Sequence, residues 1–210
     1  MNYMDLTTLD TIKTLEELKK IYDEPTENTI TKQKDYLIQP AHEFIEQSSF
    51  LIMATANKDG IDCSPKGDAP GFVQILDDKT LLIPDRPGNN RIDGMKNLII
   101  NPKIGLIFLI PGSDTTFRVN GSAKISVNSS LLERFLVGGK TPRSVIVVTV
   151  EEAFHHCPKA FVRAKLWKAA ADNGEKELPT IGSFAAFRDS GDQDYVERYN
   201  ADYKKRMELY

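Results

Sequence analysis

Residues 81–121 read LLIPDRPGNNRIDGMKNLIINPKIGLIFLIPGSDTTFRVNG, and the reading of this stretch decides the fold. The apolar run Leu81–Ile83 breaks at Pro84, and a polar loop of arginine, asparagine and glycine follows. A helical window then runs from about Arg91 to Ile100. Asn101-Pro102 stops it, because the residue before a proline is pushed out of the helical region. Ile104 to Ile110 is a near-continuous apolar run, the pattern of a buried strand. Pro111-Gly112 turns the chain, and Thr116 to Gly121 starts another strand.

The chemistry of the stretch lies in its loop. Arg86 and Arg91 bracket Pro87, Gly88, Asn89 and Asn90, directly ahead of the helix start. Asn89 or Asn90 suits an N-cap, and the first backbone N–H groups of a helix have no internal partners. Such an end attracts anions, with a dipole contribution of roughly 0.3–1 kcal/mol. An arginine beside it grips phosphate oxygens through two parallel hydrogen bonds. The spacing fits a solvated loop of surface arginines equally well.

Outward from the loop, the chain alternates short strands with tight turns. FLIMATA (Phe50–Ala56) reads as a buried strand, Asn57-Lys58-Asp59-Gly60 as a turn, and Ile61–Ser64 as the hairpin partner. SPKGDAPGF (Ser64–Phe72) holds two glycines, two prolines and a lysine. That composition predicts irregular backbone, a bulge or loop where a ligand comes close. Strands are expected at Phe72–Leu76, Thr80–Ile83, Ala123–Val127 and Ser144–Val150, the last (SVIVVTV) strongly β-branched and central. This pattern argues for a barrel over a doubly wound sheet.

Helices frame the strands. Thr11–Tyr22 carries Ile12, Leu15, Leu18 and Ile21 along one stripe, and a polar linker follows to about Lys34. Pro40–Gln47 is a second helix; Ser129 or Ser130 caps a third, which Gly138-Gly139 ends. Others open at Pro158, span Pro179–Phe187, and span Asp192–Met207 with Tyr195, Tyr199, Tyr203 and Met207 in line. Residues 171–177 read as polar and loose.

Composition narrows the function. A chain of 210 residues suits one domain with extensions and buries roughly 70% of its unfolded surface without staples. A net charge of −3 and a pI of about 5.7 argue against a nucleic-acid footprint or a polybasic membrane surface. No apolar run approaches the ~20 residues a bilayer requires, and MNYMDLTTLD lacks the basic and apolar regions of a signal peptide. Cys63 and Cys157 read as reduced thiols of a cytoplasmic protein. His155-His156-Cys157 invites a metal reading. Adjacent strand residues point to opposite faces, however, and no C-x-x-C or H-x-x-x-H accompanies them. No metal is expected. No nucleophile–base set assembles either, so no catalytic side chain is assigned.

The ordered blocks SPKGD, IPDRPGN, NP-x-x-G-L-x-F and RVNG, followed by HCPKAFVRAKLW (His156–Trp167), carry a family likeness. With them the chain resembles the FMN-binding split-barrel flavoproteins related to pyridoxamine 5′-phosphate oxidase, over roughly Tyr22 to Gly182. The resemblance implies a mainly β, α+β fold: an antiparallel split β-barrel with peripheral helices. The domain expectation is an N-terminal helical extension at 1–34 and an FMN-binding barrel at 35–170. A helical tail at 171–210 would pack on the barrel or on a partner protomer.

FMN is the implied cofactor, with a homodimer whose two FMN sites lie at the interface. Lys66 and Arg91 match the family's basic positions for the FMN phosphate. Arg86 and Asn90 stand beside them. Ile83 and Pro84 match positions whose backbone runs along the flavin ring. Thr116 replaces a ring-contacting glutamine with a smaller side chain. Lys165 and Trp167 match the segment through which the second protomer reaches the flavin. Arg118 is left between a structural ion pair and a ligand contact.

The implied function is an FMN-dependent oxidoreductase of this class, with the flavin carrying the redox step and the substrate unspecified. Pyridoxamine 5′-phosphate oxidase activity itself is not expected. That enzyme's C-terminal arginine/histidine signature for the substrate phosphate is absent after Trp167. The alternative is a flavin- or haem-binding storage, sensor or stress protein without turnover.

Overall fold

A computed structural model of the chain describes residues 9–168, 178–189 and 191–206. FLIMATA is apolar at every position but Thr55, so it needs cover on both faces. As strand β1 (Phe50–Asn57) it lies inside the sheet, between β2 (Gly60–Gly67) and β5 (Lys103–Leu109). The Asn57 carboxamide closes the β1–β2 turn by accepting the backbone N–H of Asp59 at 2.6 Å and of Gly60 at 3.1 Å. β2 runs further than its composition suggests: Pro65, Lys66 and Gly67 pair with Ile52, Leu51 and Phe50. SPKG is therefore regular strand, and the irregular backbone begins only at Asp68. β2 is a sheet edge, where a proline removes no ladder bond.

The remaining strands are β3 (Gln74–Asp77), β4 (Thr80–Asp85), β6 (Thr116–Ser126) and β7 (Ser144–His156). All seven form one antiparallel sheet in the order β2-β1-β5-β6-β7-β4-β3. β4 continues through Pro84 to Asp85 instead of breaking there. β3 pairs only as far as Leu82, so Pro84 faces β7 on one side and no strand on the other. β6 is one strand rather than two. Its register shifts where Asn120 faces Glu152 and Gly121 faces Val150, which leaves Glu151 as a bulge. A Cβ at Gly121 would stand 2.0 Å from the Thr149 carbonyl oxygen, so only glycine fits.

Leu51, Met53, Leu106, Phe108, Val119, Ile146 and Val148 form the centre of the core, all fully buried. Helix α3 (Gln39–Gln47) covers it with Ala41 and Ile45, and Phe44 rests on Phe117 with ring centroids 6.3 Å apart. Helix α4 (Asp93–Ile100) seals one end with Met95 and Leu98. A Cβ at Gly94 would lie 3.0 Å from the Met53 methyl, so α4 sits close to β1. Helix α5 (Ser129–Glu133) is capped by Asn128 and not by either serine: the Asn128 Oδ1 accepts the Ser130 N–H at 3.0 Å.

At the N-terminus the expected long helix is only α1 (Leu15–Lys19), and α2 (Glu27–Thr31) occupies part of the expected linker. Ile12, Leu15, Leu18 and Ile21 are all exposed, so none of the described residues buries the stripe that would extend α1. Beyond β7 come α6 (Lys159–Ala164), α7 (Ile181–Asp189) and α8 (Gln193–Arg206). α7 and α8 pack as a hairpin through Gly182, whose N–H donates to Asn200 Oδ1 at 2.9 Å, while Tyr195 stacks on Tyr199 at 5.9 Å. The loose segment expected at 171–177 and the stripe's last member, Met207, lie outside the described residues. No helix among the described residues is long and apolar enough to cross a membrane.

Gly121→Ala is expected to destabilise the fold by about 1–3 kcal/mol, the cost of forcing atoms into a packed site. Urea unfolding should show a lower midpoint at unchanged slope.

Candidate functional site

Lys66 lies near the end of β2, at one margin of the sheet, and Asp85 ends β4, beside the opposite margin. The curled sheet brings them together, with the Lys66 ammonium 2.8 Å from Asp85 Oδ1. Just past the ends of the two strands a second pair crosses in the reverse sense, Arg86 Nε donating to Asp68 at 2.5 Å. These four side chains are only 16–22% exposed. Arg86 also donates from Nη1 to the Phe135 carbonyl at 3.0 Å.

A cavity of about 510 Å³ opens where the margins meet. Phe72, Pro84 and Met95 give it an apolar surface, and β2, the loop 86–92 and Arg143 supply polar walls. Helix α4 begins at Asp93, two residues later than expected, and Ile92 in its N-cap position makes no side-chain bond. Neither asparagine caps it. Asn89 Oδ1 instead accepts the Arg91 N–H at 3.0 Å, and Asn90 adopts φ 61°. Both are loop-shaping roles that asparagine favours. Ile92 also has positive φ, at 47°, which costs a β-branched residue about 1–3 kcal/mol.

The three flagged cations that line the cavity each hold a carboxylate: Lys66 has Asp85, Arg86 has Asp68, and Arg91 has Asp93. The Arg91 guanidinium, helped by Lys96, holds the Asp93 carboxyl below the ordinary carboxylate range, and Asp93 in turn raises Arg91. Arg143 differs. Its Nη1 donates to the neutral Asn90 carboxamide, and among the described residues it meets no carboxylate at ion-pair distance. The sequence reading missed Arg143 because it lies far along the chain from the loop. The available signal was its position just ahead of SVIVVTV, whose first residue, Ser144, pairs with Asp85. The Arg143 N–H extends that ladder to the Asp85 carbonyl at 3.0 Å.

The expected site residues therefore fall into two groups. Lys66, Pro84, Arg86, Asn90 and Arg91 line the cavity, and Ile83 is wholly buried in the core beside it. Thr116, Lys165 and Trp167 do not line it. Thr116 is buried at the start of β6, and Lys165 ends α6 at φ 48°. Trp167 donates from Nε1 to the Ser113 carbonyl at 2.8 Å and packs against Phe161. His155, His156 and Cys157 are exposed at the end of β7, and both cysteines are unpaired thiols.

One antiparallel sheet, curled until its margins meet over a polar cavity and flanked by helices, is a split β-barrel. A sequence model described as pyridoxamine 5′-phosphate oxidase matches residues 37–157, more than half of the chain, and the chain belongs to that family. No curated protein matches it. Among solved structures, HupZ of Group A Streptococcus is 22% identical, over 57% of this chain and 93% of that one, with a TM-score of 0.46. An FMN-binding protein of Syntrophomonas wolfei is 12% identical, over 68% and 97%, with a TM-score of 0.44. A Clostridium acetobutylicum protein related to general stress protein 26, of the pyridoxinephosphate oxidase family, is 15% identical, over 56% and 85%, with a TM-score of 0.41.

Asp85→Asn leaves the Lys66 ammonium part-buried without its carboxylate, and should lower stability by about 1–3 kcal/mol in urea unfolding. Asp93 holds its charge to lower pH than an ordinary carboxyl. Its pairing with Arg91 is therefore intact above the ordinary carboxylate value and fades only as pH falls through the lowered one. An NMR titration should find the Asp93 midpoint below 3.8 in the wild type and moved upward in Arg91→Ala.

Proposed function

We propose that this protein is a homodimeric FMN-dependent oxidoreductase whose two flavin sites form where the cavity of one protomer meets the Thr116–Trp167 end of the other. The observation that carries the reading is the convergence of Lys66, Arg86, Arg91 and Arg143 on one cavity of about 510 Å³. That volume lies within the usual range for a small organic ligand. The donor set suits the phosphate and polyol end of FMN, since Arg143 is open to a dianion and Lys66 and Arg91 need only exchange their carboxylates. Phe72, Pro84 and Met95 offer apolar surface beside those donors and keep water off the ligand. When bound, FMN supplies the electron-transfer chemistry. The chain binds it, orients it and screens it.

The outer face of the sheet supports the dimer. Phe50 and Ile61 are exposed there, with Ile52, Ile107 and Leu109 half-buried around them, and none of the described residues covers them fully. A second copy laid on this face would bury them, as an isologous interface does. The two free thiols and the acidic balance of the chain accord with a reducing cytoplasm.

The purified protein is expected to be yellow and to elute as a dimer. Lys66→Ala and Arg143→Ala should each weaken FMN binding by roughly 1.5–3 kcal/mol, the worth of a charged hydrogen bond, with Arg91→Ala adding to the loss. Fluorescence titration with FMN measures this, and unchanged affinity in all three variants overturns the phosphate assignment. Bleaching by NADH or NADPH with recovery in air marks an enzyme. Stable colour with no electron donor marks a storage or sensor protein, and a Soret band marks haem in place of flavin.

A further inference from the structure

The outer face of the sheet carries one group its surroundings do not satisfy. Arg118, on β6, stands across from Ile107 on β5 and Phe154 on β7. Its Nε is buried and has no hydrogen-bond partner. Its guanidinium carbon lies 5.2 Å from the centre of the Phe154 ring, and the Lys32 ammonium lies 5.8 Å from the same ring. The ring quadrupole attracts each cation, yet the two repel one another.

Among the described residues neither Arg118 nor Lys32 forms an ion pair with a carboxylate. The carboxylates nearest in the strand are already engaged. Glu152 accepts from Asn120 at 2.9 Å and from Gln33 at 2.8 Å, and Glu151 is held by Lys103 at 2.6 Å. A buried charged donor without an acceptor is a costly arrangement, and a bound anion is one of the partners that can complete it.

We propose that Arg118 and Lys32, over Phe154, form a binding site for the oxyanion of a small molecule, a carboxylate or a phosphate. Among the described residues, the strand carboxylates that a second copy would bring to this face, its own Glu151 and Glu152, are spoken for in the same way. Thr116 projects from the same face of β6 two residues away, about 7 Å along the strand. The site deepens the flavin reading and rests on it for one point: the anion belongs to the substrate, and Arg118 selects for it.

The test uses FMN-saturated protein, with inorganic phosphate or acetate titrated against sodium chloride at matched ionic strength. Without added anion, Arg118→Met should melt above the wild type, because the unsatisfied donor is gone. Phosphate or acetate should raise the melting midpoint of the wild type and perturb its visible flavin band, while the Arg118→Met midpoint stays put. The anion dissociation constant should rise roughly tenfold or more in Arg118→Met and by a smaller factor in Lys32→Met, which leaves the buried Nε in place. Response to phosphate alone marks a phosphate ester as the substrate class, and response to acetate marks a carboxylate.

FMN affinity should match the wild type in both variants, so failure of the flavin reading stands apart. If no flavin binds, the melting arm is run in the Lys66→Ala, Arg143→Ala background, which weakens the cavity's own response to phosphate. The proposal is overturned if Arg118→Met melts below the wild type, if anions shift both proteins alike, or if the variant simply dissociates to monomers with no anion response in the parent.

Discussion

Lys66 meets Asp85, and Arg86 meets Asp68, across the seam where the two margins of a single sheet come together. β2 begins the strand order and β4 stands one place from its end, so no hydrogen-bond ladder could join them there. Sheet twist brings the margins near each other, and the crossed charges hold them. Part-buried ion pairs contribute modestly to net stability because desolvation offsets much of the Coulombic gain. Their consequence here is geometric. A seam closed by side chains leaves a gap that a seam closed by backbone would fill, and that gap is the cavity.

The same pairs bear on the phosphate site proposed for the cavity. The cavity wall alternates cations with carboxylates, in keeping with a chain whose net charge is −3. Binding a phosphate there is an exchange of partners, so much of the attraction of the arginines and the lysine is already spent inside the chain. Arg143 stands apart because its partner is a carboxamide, which surrenders a guanidinium at lower cost than a carboxylate does. The loop that presents Asn90 and Arg91 also stores strain at Ile92, the kind of backbone outlier that gathers at ligand sites.

The barrel has a second surface with unmet needs. β1 is largely apolar on both sides, and its outer side meets Ile107 and Leu109 in a face that none of the described residues covers fully. Arg118 stands in that face with a buried donor unused. The inner cavity, lined by cations and carboxylates, and the outer face, with its exposed apolar side chains, thus lie on opposite sides of one sheet.

The strands were legible in the sequence because burial on one or both faces writes itself into apolar runs. FLIMATA, IGLIFLI and SVIVVTV appear where they were expected, the last extended at its C-terminal end to His156. The cationic character of the 86–91 loop was legible too, from its two arginines. The sequence could not say that α4 starts at Asp93, because cap geometry depends on backbone angles that two candidate asparagines leave open. Nor could it say that SPKG is strand, since an edge position excuses the proline and only pairing defines an edge. Pairing partners for Lys66 and Arg86, the arrival of Arg143 and the isolation of Arg118 were decided by the tertiary structure alone. Each is a contact between residues distant in the chain, and local pattern carries no information about which distant charges a curled sheet will bring within reach.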